Sequence, residues 1–128
     1  MIYLDTSVLL AHLLAEDRRP DPAIWAEPVV TSRLAEYELW TRINARGLTG
    51  SHGDALRMVL GSLAIIELAP PVLARALEPF PVAVRTLEAL HLASAHWLRE
   101  QGQSVRVASY DTRLGAAARA LGLETVAV

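Results

Sequence analysis

The chain has 128 residues, 52% of them hydrophobic, and a net charge of −2. This length and hydrophobic content predict one folded domain over residues 1–128 and argue against a largely disordered chain. No cysteine is present and all 12 basic residues are arginine, which excludes disulfides, zinc–thiolate sites, thiol nucleophiles and lysine-dependent catalysis.

The chain shows no signal for secretion or membrane insertion. Met1 leads directly into a predicted strand, without the features of a signal peptide. No apolar run reaches the roughly 18 residues needed to cross a bilayer. We therefore expect a cytoplasmic protein with no membrane partner. The net charge of −2 gives no overall positive field, so any contact with nucleic acid requires a local group of arginines or bound metal.

The first elements alternate between strand and helix. A short buried strand at 2–5 leads into an apolar helix at 6–15, whose Thr-Ser start suits a capped N-terminus. A charged segment with two prolines predicts a loop at 16–22, followed by a short helix at 23–26. The second strand is predicted at 28–32.

The same alternation continues to the end of the chain. Two helices are predicted at 33–46 and 51–62, the second capped by Ser51 or Asp54. The later elements are a strand at 64–68, one or two helical turns at 71–77, the strongest helix at 85–100, a strand at 105–109, a helix at 112–121 and a final short strand at 124–128. Strands joined by helices predict an α/β fold whose parallel sheet is covered on both faces.

Two aspartates directly follow predicted strands. Asp5 ends the first strand and precedes Thr6 and Ser7, and Asp111 follows the fourth strand and precedes Thr112. Ligands of open α/β sheets bind at the carboxyl ends of the strands, which is where both acids are expected. Each also has an ordinary explanation, because aspartate is among the best helix N-caps.

Two glutamates lie among apolar residues of predicted helices. Burying a bare carboxylate is costly, so Glu38 requires a partner, a metal or access to water. Glu88 shares a helix face with His91, which we expect to pack and hydrogen-bond beside it. Glu88 also has a simpler explanation: in the first turn of a helix, a negative side chain interacts favourably with the helix dipole. Glu36 points to a different side of its helix, and we expect it to be solvated.

Carboxylates gathered at one sheet edge predict a site for Mg²⁺, with Mn²⁺ as an alternative, because hard cations prefer oxygen ligands. Such an ion lowers the pKa of a bound water and stabilises charge in a phosphodiester transition state. Nearby hydroxyl groups are candidates for orienting a carboxylate or a water molecule: Thr6, Ser7, Ser109 and Thr112.

Four segments carry a family resemblance, and they occur in order along the whole chain: Ile2-Tyr3-Leu4-Asp5-Thr6-Ser7; Thr31-Ser32 with Glu38-Leu39 after it; Arg85-Thr86-Leu87-Glu88-Ala89-Leu90-His91-Leu92-Ala93-Ser94-Ala95; and Ser109-Tyr110-Asp111-Thr112-Arg113-Leu114. No single segment is diagnostic, but the set resembles the PIN domain, and more narrowly the VapC-type ribonuclease toxins of type II toxin–antitoxin systems. The resemblance implies a three-layer α/β/α fold with a central, mostly parallel sheet of four to five strands.

The resemblance also implies a metal-dependent endoribonuclease. It places the acidic catalytic residues on Asp5, Glu38, Glu88 and Asp111, and the metal ligands among them on Asp5, Glu88 and Asp111. Glu88 departs from the family pattern, which usually has aspartate at this position. Its additional methylene would shift the metal or place a water between the metal and the carboxylate.

The partners implied by the resemblance are an RNA substrate such as tRNA or ribosomal RNA, a VapB-like antitoxin and a second copy of the chain. Cleavage would inhibit translation and growth, and the antitoxin would lie across the groove and present an arginine to the acids. Five arginines in or near the motifs are candidates for phosphate contact: Arg33, Arg42, Arg46, Arg85 and Arg113. Arg113 is also a candidate for a salt bridge.

Two other classes of function remain open. A PIN-like module that binds RNA or protein with weak or no catalysis is motivated by Glu88. A phosphatase that uses Asp5 as a nucleophile, as in haloacid-dehalogenase-like folds, normally has a second aspartate two residues later and a lysine. Here that position is Ser7 and the chain has no lysine, which argues against the phosphatase.

Overall fold

The computed structural model describes all 128 residues. In chain order the elements are β1 (Ile2–Leu4), α1 (Thr6–Leu14), a 3₁₀ helix (Pro22–Ala26), β2 (Val29–Ser32), α2 (Arg33–Ala45), α3 (Thr49–Gly61), β3 (Ala64–Ile66), α4 (Pro70–Leu77), α5 (Thr86–Glu100), β4 (Arg106–Ala108), α6 (Thr112–Ala120) and β5 (Glu124–Thr125). No helix combines the length and the apolar character needed to cross a bilayer.

The strands form one parallel five-stranded sheet in the order β3-β2-β1-β4-β5. β1 lies at the centre, with Tyr3 opposite Val30 on one side and Val107 on the other. Helices connect successive strands, as parallel pairing requires. The predicted α/β class and parallel sheet are confirmed.

Each face of the sheet carries its own apolar core, because alternate side chains of a strand point to opposite faces. Ile2 and Leu4 face a core that includes buried residues of α1, α2 and α3. Tyr3 and Val107 face a second core with residues of α4, α5 and α6. Helices therefore cover both faces, and the predicted three-layer arrangement is confirmed.

Side chains at the starts of three α-helices, α1, α2 and α6, satisfy backbone N–H groups that lack a partner within the helix. Asp5 accepts a hydrogen bond from Val8 N at 3.2 Å, and Ser32 accepts one from Leu34 N at 3.1 Å. Asp111 caps α6 in the same way. The ordinary explanation of both aspartates as N-caps is therefore correct, and it leaves their further role open.

The predicted start of the third helix is wrong. α3 begins at Thr49 without a side-chain cap, so neither Ser51 nor Asp54 caps it. Ser51 instead donates from its hydroxyl to Leu48 O at 3.2 Å, and Asp54 pairs with Arg57 one turn further along.

Several strands are shorter than predicted. β1 ends at Leu4 because Asp5 becomes the cap of α1, and β3 ends at Ile66 ahead of the helix that starts at Pro70. β5 consists of Glu124–Thr125 alone, since it lies at the edge of the sheet and pairs with one neighbour.

The core beneath α3 gives a direct test of the packing. Leu56 is 0% exposed, whereas Met58, two residues along the same helix, is 77% exposed. We expect Leu56→Ala to lower the free energy of unfolding by about 2–5 kcal/mol because it leaves a cavity. Met58→Ala, as the matched control, should change it by less than about 0.5 kcal/mol. Urea unfolding measures both, and equal effects would contradict the assigned packing.

Candidate active site

The site begins where the two central strands end. β1 and β4 run parallel with Leu4 opposite Ala108, and Asp5 N donates to Ala108 O at 3.2 Å. This pairing places Asp5 next to the segment that follows β4, which contains Ser109 and Asp111. The carboxyl edge of the sheet is the position that the sequence predicted for both aspartates.

All four predicted acids line one cavity of about 560 Å³. Asp5 and Asp111 reach it from the strand ends, Glu38 from the middle of α2 and Glu88 from the first turn of α5. The polar and charged residues that share the cavity are Thr6, Ser7, Arg42, Arg85, Thr86 and His91. Side chains far apart in the sequence therefore converge at one edge of the sheet.

Asp5 is held at the base of this cavity and is only 4% exposed. Its Oδ1 accepts hydrogen bonds from Ser7 Oγ at 2.6 Å and from Val8 N, and its Oδ2 accepts one from Ser109 Oγ. Burial raises the pKa of Asp5 above its ordinary value, and the hydrogen bonds from Ser109 and Ser7 oppose that rise in part. A cation nearby would act in the same direction as the hydrogen bonds and favour the ionised form.

The two serines also connect Asp5 to the segment after β4. Ser7 Oγ accepts a hydrogen bond from Tyr110 N at 2.9 Å, and Ser109 Oγ accepts one from Asp111 N at 2.9 Å. Each hydroxyl therefore donates to the buried carboxylate and accepts from the backbone. This arrangement fits the predicted orienting role of Ser7 and Ser109.

Glu38 is bound by a histidine and a threonine. His91 Nε2 lies 2.7 Å from Glu38 Oε1, and Thr6 Oγ1 donates to the same oxygen at 2.6 Å. Burial raises the pKa of Glu38, but the hydrogen bonds and positive charge around it outweigh burial and leave that pKa below its ordinary value. The expectation that His91 pairs beside Glu88 is corrected, because its ring contacts Glu38 instead.

The other two acids are bound to helix N-termini. Glu88 Oε2 accepts from Arg85 N at 3.2 Å, and Glu88 Oε1 lies 3.6 Å from Arg113 Nε. Asp111 Oδ1 accepts from Arg113 N at 2.9 Å and from Leu114 N at 3.3 Å. The predicted salt bridge of Arg113 is therefore present, and both acids combine a capping role with a place in the cavity.

The donor set suits a hard divalent cation, because the cavity supplies carboxylate oxygens and hydroxyl groups. Nevertheless, no three His, Asp or Glu side chains are close enough together to ligate one ion. Like charges repel, and each acid is satisfied by its own local donors. Binding a cation to Asp5, Glu88 and Asp111 together therefore requires Glu88 and Asp111 to turn toward the fixed carboxylate of Asp5.

The remaining predicted residues differ in their placement. Thr6 supports Glu38, whereas Thr112 donates no hydrogen bond to any acid and lines a neighbouring depression. Glu36 is only partly solvated, because it pairs with Arg33 at 3.1 Å.

The five candidate arginines separate into two groups. Arg33 and Arg113 are held in ion pairs with glutamates. Arg42 and Arg85 are exposed, line the cavity and form no salt bridge. Arg46 lies outside the cavity lining. Arg42 and Arg85 are thus the two with a free guanidinium beside the acids.

Sequence reasoning did not find Tyr3 as part of this site. Tyr3 Oη lies 2.6 Å from His91 Nδ1, a contact between residues 88 positions apart. Glu38 and His91 are 53 positions apart and on different helices. No local pattern links these residues, so only the folded arrangement reveals the contacts.

Comparison with known proteins gives consistent results. A family model described as PIN domain matches residues 2–120. Ribonuclease VapC47 of Mycobacterium tuberculosis (strain CDC 1551 / Oshkosh) is 32% identical over 132 residues, which cover 98% of this chain and 95% of that protein. Ribonuclease VapC35 of Mycobacterium tuberculosis (strain ATCC 25618 / H37Rv) is 33% identical, with coverages of 99% and 96%.

Solved structures share the fold. A toxin–antitoxin complex from Klebsiella pneumoniae gives a TM-score of 0.72 at 18% identity and covers 98% of this chain and 96% of its own. Mycobacterium tuberculosis VapC20, described as a sarcin-ricin loop cleaving toxin, gives 0.65 at 21% identity, with coverages of 91% and 95%. With a family match along nearly the whole sequence and relatives above 30% identity, the chain belongs to the PIN-domain family, as a VapC-type ribonuclease.

Proposed function

We propose that this protein is a toxin whose endoribonuclease activity depends on a divalent cation, Mg²⁺ or alternatively Mn²⁺, and that it cleaves structured RNA such as tRNA or ribosomal RNA. Such cleavage would inhibit translation and growth. The observation that supports this most strongly is the convergence of four acids, each from a different element or loop, on one cavity at the carboxyl edge of the sheet. In this proposal, Asp5, Glu88 and Asp111 would hold the cation. When bound there, it would supply a water of lowered pKa and stabilise negative charge on the phosphate.

The acids have different tasks in this proposal. Asp5 is the rigid member, because Ser7, Val8 N and Ser109 hold both of its oxygens. Glu38 has a pKa below its ordinary value and keeps one oxygen free of hydrogen bonds within the protein. An ionised carboxylate with a free oxygen is suited to orient a water molecule for attack on a phosphodiester.

Two arginines would hold the RNA backbone. Arg42 follows Glu38 by one turn of α2, and Arg85 lies just before α5, so they lie at two different parts of the cavity wall. Guanidinium groups bind phosphate in a bidentate manner. Since the chain as a whole is negatively charged, these local cations supply the attraction for RNA.

An antitoxin would occupy the apolar groove beside the acids. The groove has a volume of about 540 Å³ and is formed by α4, the start of α5 and the segment between them. Leu73, Leu77 and Val82 are exposed there at 40%, 89% and 43%. Arg85 and Thr86 line both the groove and the acidic cavity, so an apolar segment in the groove would carry a neighbouring basic residue to the acids.

The homodimer stays a prediction, and sedimentation velocity of the purified protein would test it.

A binding module with little catalysis is the second candidate. Both oxygens of Glu88 already have partners, the backbone N–H of Arg85 and the guanidinium of Arg113, so a cation must compete for this carboxylate. An inactive protein whose Glu88→Asp variant also fails to cleave RNA with Mg²⁺ or Mn²⁺ would favour the binding module.

Cleavage should depend on the acids and on metal. We expect Asp5→Asn and Asp111→Asn each to lower the rate of RNA cleavage by more than about a hundredfold, because each removes a metal-binding charge. Asparagine remains a good N-cap, so α1 and α6 should be retained. Gel analysis of total RNA, with sequencing of the cleaved ends after brief expression, measures the loss and locates the cut.

Asp54→Asn is the matched control for these variants, because Asp54 is a fully exposed aspartate outside the cavity. Its cleavage rate should equal that of the unaltered protein. A chelator should abolish cleavage, and excess Mg²⁺ should restore it. Cleavage that survives both the chelator and the two cavity variants would contradict the proposed function.

RNA affinity should depend on the unpaired arginines. We expect Arg42→Gln and Arg85→Gln each to raise KM with little change in kcat. Each should also reduce the slope of log binding constant against log salt concentration by about one, since one phosphate contact is lost. Arg19→Gln is the charge-matched control, because Arg19 lies in the loop after α1 and does not line the cavity. A control that weakens binding as much as the cavity variants would show that the contact is not local.

Antitoxin binding should depend on the exposed leucine of α4. We expect Leu77→Asp to weaken binding of the cognate antitoxin by at least about tenfold, since it places a charge in an apolar contact. Met58→Asp, a similarly exposed apolar residue on α3, should leave binding unchanged. Titration calorimetry with the purified antitoxin compares the two. Equal affinities for the two variants would place the antitoxin elsewhere.

A further inference from the structure

A chain of buried hydrogen bonds connects the centre of the sheet with the acidic cavity. Tyr3 of β1 is 0% exposed and His91 of α5 is 4% exposed. The phenol oxygen of Tyr3 lies 2.6 Å from His91 Nδ1, and His91 Nε2 lies 2.7 Å from Glu38 Oε1. This series of hydrogen bonds therefore begins in the apolar core and ends on a carboxylate that lines the cavity.

The direction of these hydrogen bonds follows from the chemistry of the groups. An ionised Glu38 carboxylate can only accept hydrogen bonds, so His91 Nε2, 2.7 Å away, is the nitrogen that carries a proton and donates to it. Tyr3 Oη lies 2.6 Å from the other ring nitrogen, Nδ1. When the ring carries a single proton, Nδ1 is therefore the acceptor, and the phenol O–H donates to it.

At the cavity end, both donors act on the same oxygen. Glu38 Oε1 accepts from His91 Nε2 and from Thr6 Oγ1, while Oε2 accepts no hydrogen bond within the protein. Two donors on one oxygen restrict the rotation of the carboxylate. The Glu38 side chain is 21% exposed, so a group that enters the cavity can reach it.

We propose that Tyr3 and His91 are positioning residues for Glu38, which hold its carboxylate in one orientation with Oε2 available to the attacking water. This inference rests on the proposed function. Stability alone does not require these buried hydrogen bonds, because apolar side chains of the same volume would fill the core without polar groups to satisfy. The hydrogen bonds from Tyr3 to His91 and from His91 to Glu38 instead fix the one catalytic acid that has no helix N-terminus to bind it.

Two substitutions at position 91 separate positioning from packing. The amide nitrogen of glutamine lies near the place of His Nε2, whereas that of asparagine lies near the place of Nδ1. We expect His91→Asn to lower kcat about tenfold to a hundredfold at unchanged KM, because Glu38 loses a donor. His91→Gln should restore most of kcat, because it keeps a donor to Glu38.

A third variant covers the case in which both substitutions disturb folding. Tyr3→Phe keeps the aromatic ring in the core and removes only the hydroxyl. We expect it to lower kcat about tenfold at unchanged KM, because the imidazole loses the donor that fixes its tautomer. Urea unfolding of all variants identifies any loss that comes from stability alone.

The tautomer itself can be measured without activity. Nitrogen-15 NMR of the histidine rings should show the proton of His91 on Nε2 in the unaltered protein, and a redistribution between the nitrogens in Tyr3→Phe. A ring proton on His91 Nδ1 rather than Nε2 in the unaltered protein would overturn the inferred direction of the hydrogen bonds from Tyr3 through His91 to Glu38.

The outcomes distinguish this inference from the function on which it rests. If the unaltered protein cleaves no RNA with Mg²⁺ or Mn²⁺, the proposed function fails and the positioning role fails with it. If the unaltered protein cleaves RNA, but His91→Gln and His91→Asn have the same kcat and Tyr3→Phe is fully active, the positioning role alone is overturned.

Discussion

The pairing of β1 with β4 is the constraint on which the rest of the site depends. Their register sets Leu4 opposite Ala108, and the hydrogen bond from Asp5 N to Ala108 O continues the pairing just beyond β1. Ser109 is thereby brought to the buried carboxylate of Asp5. A slip of one residue would turn every side chain of the strand to the opposite face, and the two strand ends would no longer share a cavity.

The sheet edge brings negative charges together, and helix N-termini reduce the cost of gathering them there. Asp5 and Asp111 cap α1 and α6, and Glu88 lies in the first turn of α5. The partial positive charge of a helix start favours an ionised carboxylate. Glu38 lies within α2 and lacks this support, which is why a histidine and a threonine hold it instead.

The sequence was sufficient to predict the fold class and the position of the acids at one edge of the sheet. It was not sufficient to predict the hydrogen-bond partners of those acids. Strand and helix periodicities, with an aspartate at two strand ends, were local signals, and they predicted the parallel sheet and the cavity edge. The start of α3 was missed because that helix has no side-chain cap to signal it. The length of β5 depends on its single neighbour in the sheet, which no local pattern shows. The partner of His91 was misjudged for a related reason, since proximity along one helix suggested Glu88 while the tertiary fold brought Glu38.

The burial of Asp5 links the stability of the fold to what occupies the cavity. Because its pKa is raised in the folded chain, the folded state loses stability relative to the unfolded state as pH rises through that value. A cation or a basic side chain that binds only the folded chain would reverse this loss by mass action. Occupancy of the cavity would then govern how often the chain opens, and so how readily proteases degrade it.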